Sequence, residues 1–295
     1  YVWVVVPRTT AVYKTTGLGK TTFTDADYTS IEKDLKDYTS TYSETGYSDT
    51  WYADDKNEGW LSETEYKTLK NSMLKSVYEN GGFYVGRYEA GIGTNRTSKS
   101  ATNSDGKYTI EGMPTPVTKA DAYPYTYVTR TQAQNLASNV NSGTKTSSLM
   151  FGVQWDLVLA FMHNKGNIAD STLTSNSTTI GNYNDNLWTI KNAKAQYSTN
   201  YGSIFTACPN PLKKESSSNI LLTTGADSSF SVQNIYDIAG NVWEWTLEFY
   251  DTSAPCVSRG GNYVNLGSDN PAKDRYSDNT SYSLNIVGFR VGLWK

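Results

Sequence analysis

Apolar residues recur every three or four positions in several stretches of this chain, which is the spacing of one face of an α-helix. The first such stretch begins at Thr24 and Asp25, residue types that favour a helix start, and its apolar positions are Tyr28, Ile31, Leu35 and Tyr38. In the second, Ser62 and Glu65 form a capping box, and Gly81 with Gly82 marks the end. Its apolar stripe consists of Tyr66, Leu69, Met73, Val77 and Tyr78. Both stretches are predicted to be helices.

Two more helices are predicted in the middle of the chain. Thr129 and Gln132 form another capping box, and the residues on the inward side of that helix are Ala133, Leu136, Ala137 and Val140. The stretch 150–162 supplies the large apolar side chains of Trp155, Leu157, Val158, Phe161 and Met162. We interpret this stretch as the fourth helix.

Strand-like patterns lie near both ends of the chain. The apolar run 2–6 is closed by Pro7, which suits a buried strand with an edge-compatible end. Residues 83–89, directly after the second helix, also have the pattern of a strand. The final stretch 288–294 is predicted to be a buried strand, with Phe289, Val291 and Leu293 on one side.

A short aromatic run precedes that final strand. In residues 241–245 the side chains alternate, so that Trp243 and Trp245 share one face while Val242 and Glu244 share the other. Arg259, Gly260 and Gly261 follow, and the two glycines permit a bend or a close approach of backbone. Of the 24 residues from 262 to 285, 15 are Asn, Tyr, Ser or Asp, which predicts that this segment is too polar to be core.

Three stretches lack a periodic pattern and are predicted to be inserted surface loops. They cover about residues 39–59, 93–124 and 165–230, and they are rich in Ser, Thr, Asn and Gly. No stretch has the composition of a linker between folded units. The expectation is therefore a single domain, residues 1–295.

Overall composition excludes some classes of function. The net charge of −3 and the isoelectric point near 5.3 argue against a nucleic-acid partner, which usually requires a basic face. No apolar run approaches the ~20 residues needed to cross a bilayer, so no membrane insertion is expected. The chain has 23 tyrosines, and exposed tyrosine makes good contact surface.

Cysteine and histidine are scarce. Cys208 and Cys256 are the two cysteines, and two free thiols are favoured over a disulfide because a chain of this size needs no covalent staple. The single histidine, His163, lies near a predicted helix end, where an imidazole can meet backbone carbonyls. That role is favoured over a catalytic one.

Three motifs follow one another in the C-terminal part: GNVWEW at 240–245, RGG at 259–261 and GFR at 288–290. In this order they resemble the formylglycine-generating-enzyme family, a branch of the C-type-lectin fold that also includes the variable proteins of diversity-generating retroelements and related phage tail proteins. The stretch 83–89 resembles the F-x-x-G-x-Y-E strand that opens the core of that family. Residues 127–133 resemble its first helix, and Gln154, Trp155 and Asp156 stand where the family has E-W-E.

The resemblance implies an α+β fold with few short strands, two or more helices and long irregular surface loops. It does not settle function, because one scaffold carries both an oxidase and pure binders. Glu89, in the strand at 83–89, is expected to be a residue that neighbouring backbone groups orient, and not a catalytic acid, because no second acid with matching spacing accompanies it.

The oxidase branch binds copper through two cysteine thiolates, which are soft ligands. In the family these cysteines follow the second glycine of RGG by four and nine residues. Asn265 and Asn270 occupy those positions here, and asparagine supplies no thiolate. The prediction is therefore that the protein is not an enzyme, has no catalytic residue and needs no cofactor for chemistry.

A structural calcium ion is the one bound group that the resemblance allows. The counterpart of Asn241 holds calcium in some relatives, and its oxygen with nearby carbonyls would be suitable hard ligands. The alternative is that Asn241 only fixes the turn.

The segment 262–285 has the composition of a paratope, in which tyrosine provides contact area and Asn, Ser and Asp provide adaptable hydrogen bonds. It is flanked by rigid pieces, the usual arrangement for a binding loop. Retroelement-driven variation substitutes adenines in a template, and the change of one adenine converts an Asn codon into a codon for Asp, Ser, Thr or Tyr. A segment rich in these residues that ends just before GFR therefore resembles a retroelement-diversified region. The predicted contact residues are exposed and comprise Tyr263, Asn265, Ser268, Asp269, Asn270, Asp274, Tyr276, Asp278, Asn279 and Tyr282.

These observations predict a phage or prophage receptor-binding protein in a virion tail or on a bacterial surface. Its partner would be a host-surface protein or glycan, and the relatives suggest a homo-oligomer, such as a trimer, within a larger virion assembly. Two alternatives stay open: an oxidase of the formylglycine-generating or sulfatase-modifying type, and a structural tail subunit whose loop binds nothing.

Overall fold

The computed structural model describes residues 1–99, 102–140 and 143–295. Its helices are α1 (Asp25–Tyr38), α2 (Glu63–Asn80), α3 (Arg130–Ser138), α4 (Gly152–Gly166) and α5 (Asp170–Thr174), with a 3₁₀ turn at Ser228–Phe230. Its strands are β1 (Val2–Val5), β2 (Gly82–Val85), β3 (Gly91–Ile92), β4 (Tyr123–Pro124), β5 (Thr146–Leu149), β6 (Trp188–Ile190), β7 (Gln196–Ser198), β8 (Thr206–Ala207), β9 (Leu212–Lys214), β10 (Leu221–Leu222), β11 (Ser231–Val232), β12 (Ile235–Tyr236), β13 (Trp243–Trp245), β14 (Cys256–Arg259), β15 (Arg275–Asp278), β16 (Val287–Phe289) and β17 (Val291–Trp294). The predicted α+β class, with short strands and long irregular connections, is confirmed.

The helix starts predicted from capping residues are confirmed. Thr24, Ser62 and Thr129 each cap a helix and accept a hydrogen bond from the backbone N–H three residues later. In each case the side chain at that later position accepts a bond from the cap in return, so that free N–H groups at the helix end are satisfied. Helix α2 ends at Gly81, whose φ of 71° is left-handed.

One four-stranded sheet joins the two ends of the chain. Its strand order is β1-β2-β17-β5, and all neighbours are antiparallel. Trp294, on β17, is buried and donates a hydrogen bond from Nε1 to Ser72 of α2, 2.9 Å away. The main hydrophobic core lies between this sheet, helices α1, α2 and α4, and the second four-stranded sheet.

The second sheet has the strand order β15-β14-β13-β16 and contains all three C-terminal motifs. Strands β13 and β16 run parallel, and the other pairs are antiparallel. The predicted final strand 288–294 is therefore wrong in one respect: the chain leaves this sheet at Arg290 and enters the first sheet as β17. The buried Arg290 side chain occupies that change of sheet.

The strand predicted at 83–89 is also shorter in the structure, since β2 ends at Val85. The N–H of Gly86 donates to Val291, and the carbonyl of Gly86 accepts a bond from Arg290 Nη1 at 2.9 Å. The pairing with β17 thus ends at Gly86, where Arg290 takes the carbonyl, and Glu89 lies beyond the strand.

The stretch 165–230 contains more structure than an inserted surface loop would. It forms a second hydrophobic cluster, whose buried members are Trp188, Ile190, Ala195, Cys208, Leu212, Ile220, Leu222, Ala226 and Phe230. Strands β6 and β9 pair across it in antiparallel register. The sequence missed this cluster because its apolar residues are spread singly among polar ones.

The stretch 39–59 follows the prediction more closely. It lies between α1 and α2 and contains only isolated bridge partners, at Ser48 and Asn57. Asp49 is nevertheless buried, and its carboxylate accepts bonds from the backbone N–H groups of Gly152 and Val153 at 2.7 and 3.1 Å. This acid therefore satisfies the first N–H groups of α4.

Candidate binding surface

The second sheet presents two chemically different faces. Glu244, Arg259 and Arg275 lie opposite one another in the strand register, so their side chains share the face that points toward helix α4. Trp245, Ser258 and Tyr276 share the opposite face by the same alternation.

The face toward α4 holds a closed network of buried charges. Arg259 donates to Asp156 at 2.6 Å and to Glu248 at 2.9 Å. Arg275 donates to Asp156 at 3.0 Å and to Glu248 at 2.9 Å. Each arginine thus contacts both carboxylates, and each carboxylate contacts both arginines. A buried charge is tolerated only when it is paired and hydrogen-bonded in this way.

The network connects the surface strand to the interior. Arg275 belongs to β15, and its Nη1 also donates to the carbonyl of Tyr42 at 2.9 Å. Burial alone would raise the pKa of Glu248, but the guanidinium groups of Arg259 and Arg275 outweigh it and hold this pKa at about 2. Glu248 is therefore ionised under all ordinary conditions, and β15 is fixed from beneath.

The opposite face carries a group of aromatic side chains, which we call the aromatic face: Trp243, Trp245, Tyr276 and Tyr282. Ring centroids are 5.9 Å apart for Trp243 and Tyr276, 6.0 Å for Trp245 and Tyr282, and 6.4 Å for Tyr276 and Tyr282. Both tryptophans are buried, Tyr282 is half-buried, and Tyr276 is 46% exposed. The two tyrosines thus form an outer layer supported by two buried indoles.

Two further predicted contact residues lie at the edge of the aromatic face. Asp278 ends β15 opposite Cys256 and is half-buried, and burial raises the pKa of its carboxyl. Asn279 is exposed, and its backbone N–H and side-chain amide both donate to Asp278. The structure therefore groups four of the ten predicted residues: Tyr276, Asp278, Asn279 and Tyr282.

A second group lies against the segment 176–185. The carbonyl of Asn265 accepts a bond from the N–H of Asn184 at 2.9 Å, and the N–H of Gly267 donates to Asp185 at 3.1 Å. Ser268 and Asp269 are exposed beside this contact. These three predicted residues, 265, 268 and 269, are supported by a different part of the chain from those on the aromatic face.

The predicted exposure of Tyr263 is wrong. Its side chain is fully buried, packs with Leu221 and Val242, and accepts a hydrogen bond at its hydroxyl from Asn285 at 2.8 Å. The segment 262–285 also places Asn262, Ala272, Arg275 and Ser283 in the interior, so it is not too polar to be core. Burial of Asn262 and Arg275 is tolerated because each finds hydrogen-bond partners there, whereas the Ser283 hydroxyl is buried without one among the described residues.

Asn270 and Asp274 form a turn instead of projecting freely. Both are half-buried, and Asn270 Nδ2 donates to Asp274 at 2.5 Å. The Asn270 carbonyl accepts a bond from the Tyr183 hydroxyl at 2.9 Å. Burial raises the pKa of Asp274.

Asn241 is surrounded by hydrogen-bond partners. Its side-chain oxygen accepts bonds from the N–H of Leu222 and from Asn182 Nδ2, both at 3.1 Å, and its amide donates to Glu89 at 2.8 Å. This arrangement is that of a residue that fixes a turn. Within residues 1–99, 102–140 and 143–295, no three His, Cys, Asp or Glu side chains are placed to hold a metal ion. Calcium bound by Asn241 and carbonyl oxygens stays a prediction.

Glu89 is oriented by backbone, as predicted. It is fully buried, and it accepts bonds from the N–H of Val242 and the amide of Asn241. Burial, with the nearby carboxylates of Asp237 and Glu244, raises the pKa of Glu89 well above its usual range. Of these three acids, Glu244 is the one that forms an ion pair within the described part of the chain, with Arg290 at 2.5 Å.

The buried carboxyl group of Asp237 makes the stability of the protein depend on pH. Burial is the main cause that raises its pKa to about 7, whereas an aspartate in the unfolded chain titrates near 4. Between these pH values the folded protein binds more protons than the unfolded one, so the free energy of unfolding falls as pH rises from about 4 through 7.

We expect Asp237→Asn to be more stable than the parent protein at pH 8, by on the order of 2 kcal/mol. Asparagine cannot ionise, and its oxygen can still accept the bond that Asp237 accepts from the N–H of Gly225 at 2.7 Å. Urea unfolding at pH 5 and pH 8 measures the difference. Glu215→Gln, at an exposed position, is the control and should leave the pH dependence unchanged. If Asp237→Asn lost as much stability between pH 5 and pH 8 as the parent protein does, the pH dependence would not come from Asp237.

The two thiols are free, as predicted, and they lie apart in the structure. Cys208 belongs to the cluster around Trp188, and Cys256 belongs to the main core. Both are buried, and burial raises the pKa of each to about 11. Each thiol therefore keeps its proton at neutral pH, which makes it a poor metal ligand or nucleophile.

His163 contacts a carbonyl just beyond the end of α4. Its Nδ1 lies 2.8 Å from the carbonyl of Ile168 and 3.3 Å from the carboxylate of Asp170. Asp170 also accepts a bond from the Tyr42 hydroxyl at 2.5 Å. The imidazole thus helps to join α4, α5 and the segment 39–59.

The fold and the three C-terminal motifs define the class of this protein. It belongs to the FGE-sulfatase family, described as the sulfatase-modifying factor enzyme 1-like domain, whose model matches residues 37–293. The family predicted from the motifs is confirmed. Among curated proteins, none has a sequence that matches this chain.

Similar solved structures include CarF, with 14% identity, a TM-score of 0.42 and coverage of 72% of this chain and 87% of that one. PvdO from Pseudomonas aeruginosa has 14% identity, a TM-score of 0.38 and coverage of 73% and 81%. Treponema denticola variable protein 1 has 15% identity, a TM-score of 0.31 and coverage of 78% and 69%.

Sequence reasoning missed that the inserted segment 39–59 lies beside the aromatic face. The backbone groups of Ser48 and Phe249 bond to each other in both directions, at 2.7 and 3.0 Å. Asn57 Nδ2 donates to the carbonyl of Thr280 at 2.7 Å. The high aromatic content of this segment was the available signal, but nothing in the sequence indicated its position.

Proposed function

We propose that this protein binds a ligand through the aromatic face and carries out no catalysis. The observation that carries the proposal is the outer layer of Tyr276 and Tyr282 on a sheet whose other face is locked by buried ion pairs. Tyrosines held in one conformation lose little entropy when a partner is bound, so they make efficient contacts. Asp278 and Asn279 add hydrogen-bonding groups at the edge.

The biological setting that fits best is a receptor-binding protein of a phage or prophage tail, or of a bacterial surface, with a host protein or glycan as partner. The support is the composition of the segment 262–285 and its position between the RGG and GFR motifs. Sequences of sister copies provide one test. Variation concentrated at Tyr276, Asp278, Asn279 and Tyr282 would support diversification, and variation spread evenly along the chain would contradict it.

Binding itself is tested on glycan and protein arrays with the full chain. We expect Tyr276→Ala and Tyr282→Ala each to weaken binding to the strongest array ligand by about tenfold or more, since tyrosines at the centre of an interface are frequent hot spots. Ile204→Ala is the control, because Ile204 is an exposed apolar residue in the connection between β7 and β8. Thermal unfolding of each variant would show that the fold is kept. Equal losses in all three variants, or no array ligand, would favour a purely structural subunit.

The oxidase alternative is separated by a titration with Cu(I). Asn265 and Asn270 are half-buried, and each takes part in a local hydrogen bond, Asn265 with the N–H of Asn262 and Asn270 with Asp274. One copper bound per chain, lost in Cys208→Ser and in Cys256→Ser, would overturn the non-catalytic proposal. No stoichiometric binding is expected, because the two thiols lie in different clusters.

A further inference from the structure

A depression lies in the inserted segment before α2. It is a cavity of about 460 Å³ whose walls include the indole rings of Trp51 and Trp60. Four carboxylates surround it against a single ammonium group, that of Lys107, and they belong to Asp54, Asp55, Glu58 and Glu65. The cavity thus combines aromatic walls with an excess of negative charge.

The walls of this cavity are fixed in place. Trp51 Nε1 donates to the carbonyl of Leu61 at 2.8 Å, and Trp60 Nε1 donates to the carbonyl of Tyr52 at 2.7 Å. Asp54 accepts bonds from Thr131 Oγ1 at 2.5 Å and from Asn57 Nδ2 at 2.9 Å. Asp55 and Glu58 are exposed at the rim. A ligand would therefore meet preorganised rings and two accessible carboxylates.

One cation already stacks on a ring in this wall. The guanidinium carbon of Arg130 lies 4.1 Å from the centroid of Trp60, and Arg130 is buried. A positive charge over an indole face is stabilised by the ring quadrupole. Arg130 occupies one face of Trp60, so Trp51 and the part of the Trp60 ring that lines the cavity are the aromatic surfaces left for an incoming cation.

The cavity borders the aromatic face. Asn57, which lines the cavity, donates to the carbonyl of Thr280, a residue between Asp278 and Tyr282 in the chain. Cys256 lies opposite Asp278 in the strand register. After burial, which is the main cause, the carboxylates of Asp54 and Asp278 contribute to the raised pKa of its thiol, while Arg130 opposes it. One partner can therefore touch both regions.

We propose that the cavity binds a lysine or arginine side chain of the protein partner that occupies the aromatic face. This inference rests on the proposed binding function, and it commits to a basic protein surface as the ligand in place of a neutral glycan. The aromatic walls hold the aliphatic stem and the face of the cation, and Asp55 and Glu58 provide charge-assisted hydrogen bonds. Charge complementarity of this kind fixes the register of a partner and speeds its association.

The test uses the full chain and a hexalysine peptide, with a fully acetylated hexalysine as the uncharged probe. Binding is followed by the fluorescence of the tryptophans at low and at physiological salt. We expect Asp55→Asn/Glu58→Gln to bind hexalysine about tenfold more weakly than the parent protein, and we expect no binding of the acetylated peptide. The control is Glu79→Gln/Glu215→Gln, which removes the same charge at exposed positions outside the cavity lining and should bind as the parent does.

Equal weakening in both double variants would show that only the net charge acts, and it would overturn the proposal. Binding of the acetylated peptide as tight as that of hexalysine would overturn it as well. Tyr276→Ala should keep its affinity for hexalysine, because the peptide probes the cavity alone. If an array ligand depends on Tyr276 but not on Asp55 and Glu58, the cavity proposal fails and the proposed function stands. If hexalysine depends on Asp55 and Glu58 but no array ligand depends on Tyr276, the proposed function fails, and the cavity is left as a cation-binding site whose partner does not use the aromatic face.

Discussion

Glu248→Gln is expected to lower the free energy of unfolding by about 3–5 kcal/mol, the usual cost of removing one partner from a buried ion pair. Glu248 accepts bonds from both Arg259 and Arg275. Without the Glu248 carboxylate, the two buried guanidinium groups share the single negative charge of Asp156. The new glutamine side chain also points its amide hydrogens toward one of these guanidinium groups. Urea or guanidinium unfolding, followed by tryptophan fluorescence, measures the change.

The control for this prediction is an exposed ion pair, which also joins a basic side chain to a carboxylate. Lys33 and Asp37 of α1 are 2.5 Å apart, but their side chains are 63% and 51% exposed. Asp37→Asn should change stability far less than Glu248→Gln does, because water screens exposed pairs. If Glu248→Gln cost no more than Asp37→Asn, the buried network would not be what holds the sheet.

The same variant should weaken ligand binding. Arg275 fixes β15 from beneath, and Tyr276 is the next residue along that strand. We therefore expect binding to an array ligand to fall in Glu248→Gln at temperatures where the variant is still folded. Unchanged binding would show that the aromatic face does not depend on this support.

The second large effect is expected for Gly261→Ala. Gly261 has a φ of 77°, and an added Cβ would lie 2.5 Å from the carbonyl oxygen of Asn270 and 2.9 Å from the Tyr183 ring. The left-handed backbone costs about 1 kcal/mol for a residue with a Cβ, and the overlap with fixed atoms adds about 1–3 kcal/mol. The expected loss of stability is therefore about 2–4 kcal/mol.

Gly17→Ala separates these two contributions. Gly17 has a φ of 69°, but no atom lies within 4 Å of an added Cβ. It should cost only the backbone part, about 1 kcal/mol. Thermal or urea unfolding of the two variants measures the difference, and equal losses would contradict the close approach of Asn270 to the RGG bend.

The local features of the fold were accessible from the sequence. The capping pairs at Thr24, Ser62 and Thr129 depend on residues three positions apart, so the chain alone reveals them. The alternation of Trp243 and Trp245 with Glu244 is equally local. Sequence reasoning was less successful at Arg290, where one apolar run is shared between two sheets, because the pattern of a strand does not record its neighbours.

The candidate site shows the same limit more clearly. Tyr276 and Tyr282 were predicted as contact residues and lie on the surface, whereas Tyr263, of the same type and in the same segment, is buried. Side-chain chemistry cannot separate them, because a tyrosine suits the interior as soon as its hydroxyl has a partner. For Tyr263 that partner is Asn285, 22 positions away.

The sequence by itself determined helices α1 to α4, the family and the absence of cysteine at positions 265 and 270, since each is a property of neighbouring residues or of motif spacing. The tertiary structure decided which polar residues of the segment 262–285 are interior, and it brought the inserted segment 39–59 beside the aromatic face. Both depend on contacts between residues far apart in the chain, such as Arg275 with Asp156 and Asn57 with Thr280. Burial of a charged group such as Arg275 is stable only when a partner is present, and here that partner lies far away in the chain, so no local pattern contains the information.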